Sequence, residues 1–272
     1  MSLADDPRVL RALTGPLRTL EHHDRVTSTN DVALERLREG PPGLVVVADA
    51  QTAGRGRAGR AWTDDLRGPD GPANLAVSTT WDTPGSGAEL LPLAAGLAVV
   101  DAAAAVGITG SLKWPNDVLL GREPDERKAA GILVERHTVG GRDVAVIGCG
   151  LDVDWRGLER EGDAAAWTSF AEAAGGSIDR GEVLAALLEG LQRWVVAVSS
   201  DADALLRAYG AACVTVGRDV VTTWPDGRSV SGRAVELDGS GRLVIETGRE
   251  RVVVRSGDIE HVRASGSRRD AG

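Results

Sequence analysis

Apolar and polar positions alternate along this chain in three distinct rhythms. Ser28-Thr29-Asn30-Asp31 precedes Val32, Ala33, Leu34 and Leu37 and ends at Gly40, which predicts a capped helix of about three turns. Gly43 to Ala50 contains the continuous apolar run Leu-Val-Val-Val-Ala and reads as a buried strand. Residues 74–81 alternate and predict another strand, and residues 89–106, rich in Ala and Leu at helical spacing, predict a buried helix. Strands are expected over 113–120 and 130–136, joined by a charged loop at 121–127. A third is expected over 144–153, where Gly148 and Gly150 permit close backbone approach. Residues 181–200 and 203–209 are helical by pattern. From Cys213 to Arg263 short β-rich runs take over: 214–216, 220–223, 229–237, 242–246 and 251–255, with hairpin signals at Asp226-Gly227 and Asp238-Gly239. About 50 residues of this kind suggest a small SH3-like barrel.

With 272 residues, the chain is expected to form one large domain and a small one: residues 1–210, then 211–264, then a disordered tail at 265–272. A net charge of −9 argues against a general nucleic-acid binder, which needs a basic face. Two cysteines and four histidines, none in metal-ligand spacing, exclude a His/Cys metal set and read as a reducing compartment. The N-terminus carries charges where a signal core would be apolar, and no apolar stretch approaches a membrane span, so the expected address is the cytoplasm.

Charge usage then narrows the chemistry. Lys113 and Lys128 are the two lysines among 31 basic residues. Lysine is a compact point charge on a thin stem, able to meet one oxygen in a narrow site, whereas arginine is a fixed fork. Gly54-Arg55-Gly56-Arg57-Ala58-Gly59-Arg60 fits the glycine spacing of a dinucleotide turn, but no apolar helix follows to aim its N-terminus at a pyrophosphate. No Walker A sequence is present. Two readings of the loop stay open: a solvated basic loop, or one that closes over an anionic ligand with arginine forks and backbone N–H groups.

Four strings occur in an order and spacing that resemble biotin protein ligases: Ser28-Thr29-Asn30, Gln51 to Arg57 with Trp62, Lys113-Trp114-Pro115-Asn116-Asp117, and Lys128 to Glu135. The resemblance covers roughly residues 20–263. It implies an α+β fold with a mixed sheet flanked by helices, and a two-step reaction. Biotin is first activated by MgATP to biotinyl-5′-AMP, then transferred to a lysine of a biotin carboxyl carrier protein of an acyl-CoA or pyruvate carboxylase.

The resemblance assigns Lys128, Arg57 and Asp117 to catalysis. Ser28, Thr29, Asn30, Gln51, Gly54, Arg55, Gly56, Arg57, Lys128 and Gly131 go to biotin. Arg55, Arg57, Trp62, Lys113, Asn116 and Asp152 go to the nucleotide, with Asp117 as a candidate Mg²⁺ ligand. Asp152 departs from the family, which usually carries Asn there, and a carboxylate adds repulsion near an adenylate. Too few residues precede Glu21 for the DNA-binding domain of repressor members, so no operator binding is expected; a monomer or weak homodimer is. Other readings are a lipoate or octanoate ligase or transferase, and a non-catalytic biotin sensor.

Overall fold

A computed structural model describes residues 2–62, 66–83, 85–122, 125–224, 226–255 and 258–261. The tail expected to be disordered lies outside these residues. Elements follow in chain order: α1 (Pro7–Ala12), β1 (Thr19–His23), α2 (Thr29–Glu39), β2 (Leu44–Ala48), the two-residue strands β3 (Arg67–Gly68) and β4 (Gly71–Pro72), β5 (Asn74–Asp82) and α3 (Leu91–Ala105). Next come β6 (Gly110–Lys113), β7 (Asp117–Leu120), β8 (Arg127–Val139), β9 (Arg142–Asp152), α4 (Phe170–Ala174), α5 (Arg180–Ser200) and α6 (Ala202–Ala212). The chain closes with β10 (Asp219–Thr223), β11 (Ser229–Leu237), β12 (Leu243–Glu246), β13 (Arg251–Val254) and β14 (Asp258–His261).

The main sheet has the order β1-β2-β5-β9-β8-β7-β6, with β1 parallel to β2 and every other pair antiparallel. Period-two alternation divides its side chains between two faces. Val45, Val47, Leu75, Val77, Ala145, Ile147 and Leu151 enter the large core beneath α3 and α5. Leu44, Val46, Val144 and Val146 meet Ala33 and Leu37 of α2 on the other face. The spans 88–105 and 180–200 are long and apolar enough to cross a membrane by length and composition. Their apolar character is used in the core, where a methyl on Gly190 would stand 2.9 Å from Ala98 Cα.

Three expectations need correction. The strand expected over 113–120 is a hairpin, β6 and β7, turned at Trp114-Pro115-Asn116 with a cis Trp114–Pro115 bond. The charged loop before Lys128 is shorter than expected, because β8 already begins at Arg127. Residues 214–216 form a turn rather than a strand. The helix at 28–40 forms as expected, but Ser28 at its N-cap makes no side-chain capping hydrogen bond. Strand β1 and helix α1 were not anticipated.

The small C-terminal unit is an antiparallel sheet ordered β13-β12-β11-β10-β14, with a bulge between Ala234 and Glu236. This sheet is consistent with the expected small SH3-like fold, although among the described residues no pairing joins β13 to β14 to close a barrel. It clasps the β6–β7 turn: Trp114 donates its backbone N–H to Thr215 Oγ1 at 3.0 Å and its indole N–H to Gly241 O at 2.9 Å.

Candidate active site

The alternation that fills the α2 face with Val144 and Val146 continues along β9 to Gly148 and Gly150, where the side chains vanish. In register with Gly150 stand Ala76 on β5 and Gly131 on β8; Ala48 pairs with Ala76, and Asp117 with Gly131. A row of small residues thus crosses four strands, bounded by Asp117 on β7, and lowers the sheet surface into a floor. Above it lies a cavity of about 510 Å³, lined among others by Ser28, Thr29, Asn30, Gln51, Arg55, Gly56, Arg57, Trp62, Asn116, Lys128 and Gly131.

One end of the cavity is neutral and donor-rich. Gln51 Oε1 accepts from Thr29 N at 2.8 Å and Thr29 Oγ1 at 3.1 Å. Ser78 Oγ lies 2.8 Å from Thr29 Oγ1 and 2.6 Å from Asn30 Oδ1, and Asn30 Nδ2 donates to Glu135 Oε2 at 2.6 Å. Gly148 is glycine because a methyl there would collide with Asn30 Oδ1. Buried polar groups must be satisfied, and this chain of partners fixes the rotamers of Thr29, Asn30 and Gln51 in advance of any ligand.

The other end is cationic and aromatic. Lys128 Nζ is 2.9 Å from Asp117 Oδ1. It also stands over two indoles, 5.5 Å from the Trp62 ring and 4.6 Å from that of Trp167, within cation–π range. Trp62, Trp167 and Trp155 form a stack with centroid spacings of 5.4 and 6.3 Å. Trp155 Nε1 donates to Asn74 Oδ1 at 2.5 Å, and Thr168 N donates to Lys128 O at 2.7 Å, so the aromatic wall is tied to both β5 and β8. Arg160 lines the same wall, braced by Glu172 at 3.1 and 3.0 Å. Arg57 Nη1 donates to Asn116 Oδ1 at 3.0 Å, while Arg55 makes a bidentate pair with Asp31 at 2.8 and 2.6 Å. That pair holds the Asp31 carboxyl below its usual value, against the opposing effect of burial. Burial pushes the Cys149 thiol up to about 12, so it offers no thiolate near neutrality.

Most of the anticipated residues therefore meet in one place. Gly54, Lys113, Asp117 and Asp152 do not line the cavity. Asp117 touches it through Lys128, Lys113 pairs in register with Asp117, and Asp152 is fully buried at the end of β9 opposite Asn74. Ser78, Trp155, Arg160 and Trp167 were missed. The signal for two of them was present: three of seven tryptophans in a chain with nine aromatics converge here. Of the Asp117 carboxylate, Oδ1 is engaged by Lys128. No group of three or more His, Cys, Asp or Glu side chains able to hold a metal occurs among the described residues.

Fold and site together define a protein ligase of the biotin/lipoate class. Residues 23–153 match the biotin/lipoate A/B protein ligase family, and residues 217–262 match the biotin protein ligase C terminal domain. The chain is 35% identical over 256 residues to the biotin–[acetyl-CoA-carboxylase] ligase of Mycobacterium tuberculosis, covering 90% of each. It is 30% identical to the bifunctional ligase/repressor BirA of Bacillus subtilis, covering 89% of this chain and 73% of that one. The solved biotin protein ligase of Aquifex aeolicus in complex with biotin and ATP superposes with a TM-score of 0.73 at 27% identity, over 91% of this chain and 100% of the other. The chain belongs to the biotin protein ligase family.

Proposed function

We propose that the chain is an ATP-dependent biotin protein ligase. It activates biotin to biotinyl-5′-AMP and transfers it to one lysine of the biotin carboxyl carrier protein of an acyl-CoA or pyruvate carboxylase. The observation that carries this reading is the meeting of Lys128, Arg57, Gln51 and Thr29 around one cavity with a glycine floor.

In the first step a biotin carboxylate oxygen attacks the α-phosphorus of ATP; the new O–P bond forms as the bond to pyrophosphate breaks. Two anions must approach, and at about 4 Å each charge pair repels by about 1 kcal/mol in water or about 4 at an effective dielectric of about 20. Lys128, held between Asp117 and two indole faces, is placed to offset that charge, and Arg57 grips the phosphates. In the second step the carrier's neutral lysine amine attacks the acyl carbon, AMP leaves with the C–O bonding pair, and the amine loses a proton.

Gln51 and Thr29 present neutral donors and acceptors suited to the ureido end of biotin, with Ser28, Asn30, the Gly54-Arg55-Gly56 backbone and Gly131 shaping that end. Trp62 and Asn116 face the nucleotide. Asp117 positions Lys128, and Mg²⁺ enters the proposal as a counter-ion carried by the triphosphate rather than by a protein cage. Residues 1–210 form the catalytic unit and 211–264 the small one. The enzyme works in the cytoplasm as a monomer or weak homodimer, with no DNA or membrane partner; a net charge of −9 suits that reading.

The test is incubation with ATP, a carrier domain and biotin, lipoate or octanoate in parallel, with pyrophosphate release followed alongside. Biotin transfer is expected. Exclusive transfer of lipoate or octanoate would replace the reading with the lipoate one, and a folded protein releasing no pyrophosphate would be a sensor.

A further inference from the structure

Asp31 stands outside the cavity, on the first turn of α2, yet both of its oxygens are taken by the loop that roofs the cavity. Arg55 Nη1 and Nη2 donate to Asp31 Oδ2 and Oδ1 at 2.8 and 2.6 Å, and Glu135 Oε2 lies 4.0 Å from Arg55 Nη2. Residues 54–62 are tied to one another: Gly56 N donates to Arg60 O at 2.7 Å, Trp62 N to Gly54 O at 2.9 Å, and Arg55 bridges Ala61. These contacts join residues 54–62 into one hydrogen-bonded unit.

Three anchors are seen among the described residues. Two of them, Arg57 on Asn116 and Trp62 on the glycine floor, lie within the cavity lining and must adjust to whatever is bound. The third runs from Arg55, which lines the cavity, to Asp31, which does not. A planar bidentate pair also fixes orientation, which a single contact does not.

We propose that Asp31 is a positioning residue: its pair with Arg55 latches loop 54–62 over the cavity and thereby sets how long the activated acyl-adenylate is retained. The retention clause rests on the ligase reading above; the latch itself does not. Because the side chains of Arg55 and Asp31 are 38% and 44% exposed, water and salt weaken the pair, so the latch tunes lifetime rather than deciding whether the reaction occurs.

The experiment compares wild type, Asp31→Asn and Asp31→Glu in two assays. In the first, ligand-free protein is treated with trypsin and cleavage after Arg57 and Arg60 is timed. Asp31→Asn should speed it roughly threefold to fivefold, the upper range for an exposed ion pair, while Asp31→Glu restores most of the protection. In the second, biotin and ATP are supplied. Pyrophosphate release in a single turnover should stay within about twofold, while escape of the adenylate onto a bystander protein rises roughly threefold to fivefold in Asp31→Asn. Added salt should speed escape in wild type and leave Asp31→Asn unchanged. Equal tryptic rates in wild type and Asp31→Asn would overturn the latch whatever the enzyme does. A protected wild type that releases no pyrophosphate would leave the latch standing and remove the ligase reading with its retention clause.

Discussion

Gly150 lies directly beneath Trp62: a methyl group on its Cα would stand 2.5 Å from the indole Cε2 and 2.7 Å from Nε1. Neither a strand backbone nor a stacked indole can retreat by that much without losing its neighbours. Gly150→Ala should therefore lift Trp62 from the floor and weaken biotin binding by roughly fivefold or more, the range of about 1–3 kcal/mol seen for overpacked sites. Calorimetric titration with biotin checks this, and an unchanged far-ultraviolet spectrum separates it from unfolding. Ser78→Ala makes a useful contrast, because it removes one hydroxyl from the rotamer-fixing chain and leaves the floor intact.

Lys128→Ala should abolish adenylate formation while leaving biotin affinity within about tenfold. A preorganised cation that meets charge developing in the transition state is typically worth 10²–10³ in rate. Asp117→Asn should give a milder loss in the same step, since the ammonium loses its partner at 2.9 Å but keeps the two indole faces. Single-turnover pyrophosphate release measures both, and near-normal rates in Lys128→Ala would remove its assignment.

Arg57→Gly should form the adenylate and lose it. The side chain is tied to Asn116 at 3.0 Å, so Asn116→Ala should show the same leak in weaker form. Labelling of bystander lysines during incubation with biotin and ATP reads the escape directly; tight retention in Arg57→Gly would show that another group holds the adenylate.

Acid stability should depend on Asp6. Hydrogen bonds from Arg8 outweigh the burial that would raise it and hold this carboxyl at about 2. A carboxyl depressed on folding stabilises fully above its unfolded value, near 3.9, and that contribution disappears as pH falls through the folded value. Asp6→Asn should lower Tm at pH 6, with the gap to wild type closing between about pH 4 and pH 2. Thermal melts across that range decide it.

Much of this was legible in the chain because burial leaves periodic marks. Val45 to Ala48 and Val144 to Leu151 announced their strands, and Gly148 with Gly150 announced a close approach without saying to what. The hairpin at Trp114-Pro115-Asn116 was hidden, because apolar Leu112 and Val118 flank it and the pattern reads as continuous. Strand β1, Thr-Leu-Glu-His-His, is a half-buried edge with little alternation to detect. The 155–167 wall follows no period, so Trp155, Arg160 and Trp167 reached the site through tertiary contacts that local sequence does not encode. Arg55 was read as a phosphate grip, whereas its fork is already committed to Asp31 across 24 residues of chain.

The grasp of Trp114 by Thr215 and Gly241 makes the far end of the polypeptide a structural tenant of the reaction chamber. Asn116, which steadies Arg57, sits two residues past that grasp, and Val220, Leu243 and Ile245 share the main core, so damage to the terminal strands would reach both the site and the packing beneath it. Trimming the chain for convenience after Ala212 would cost the enzyme its aim.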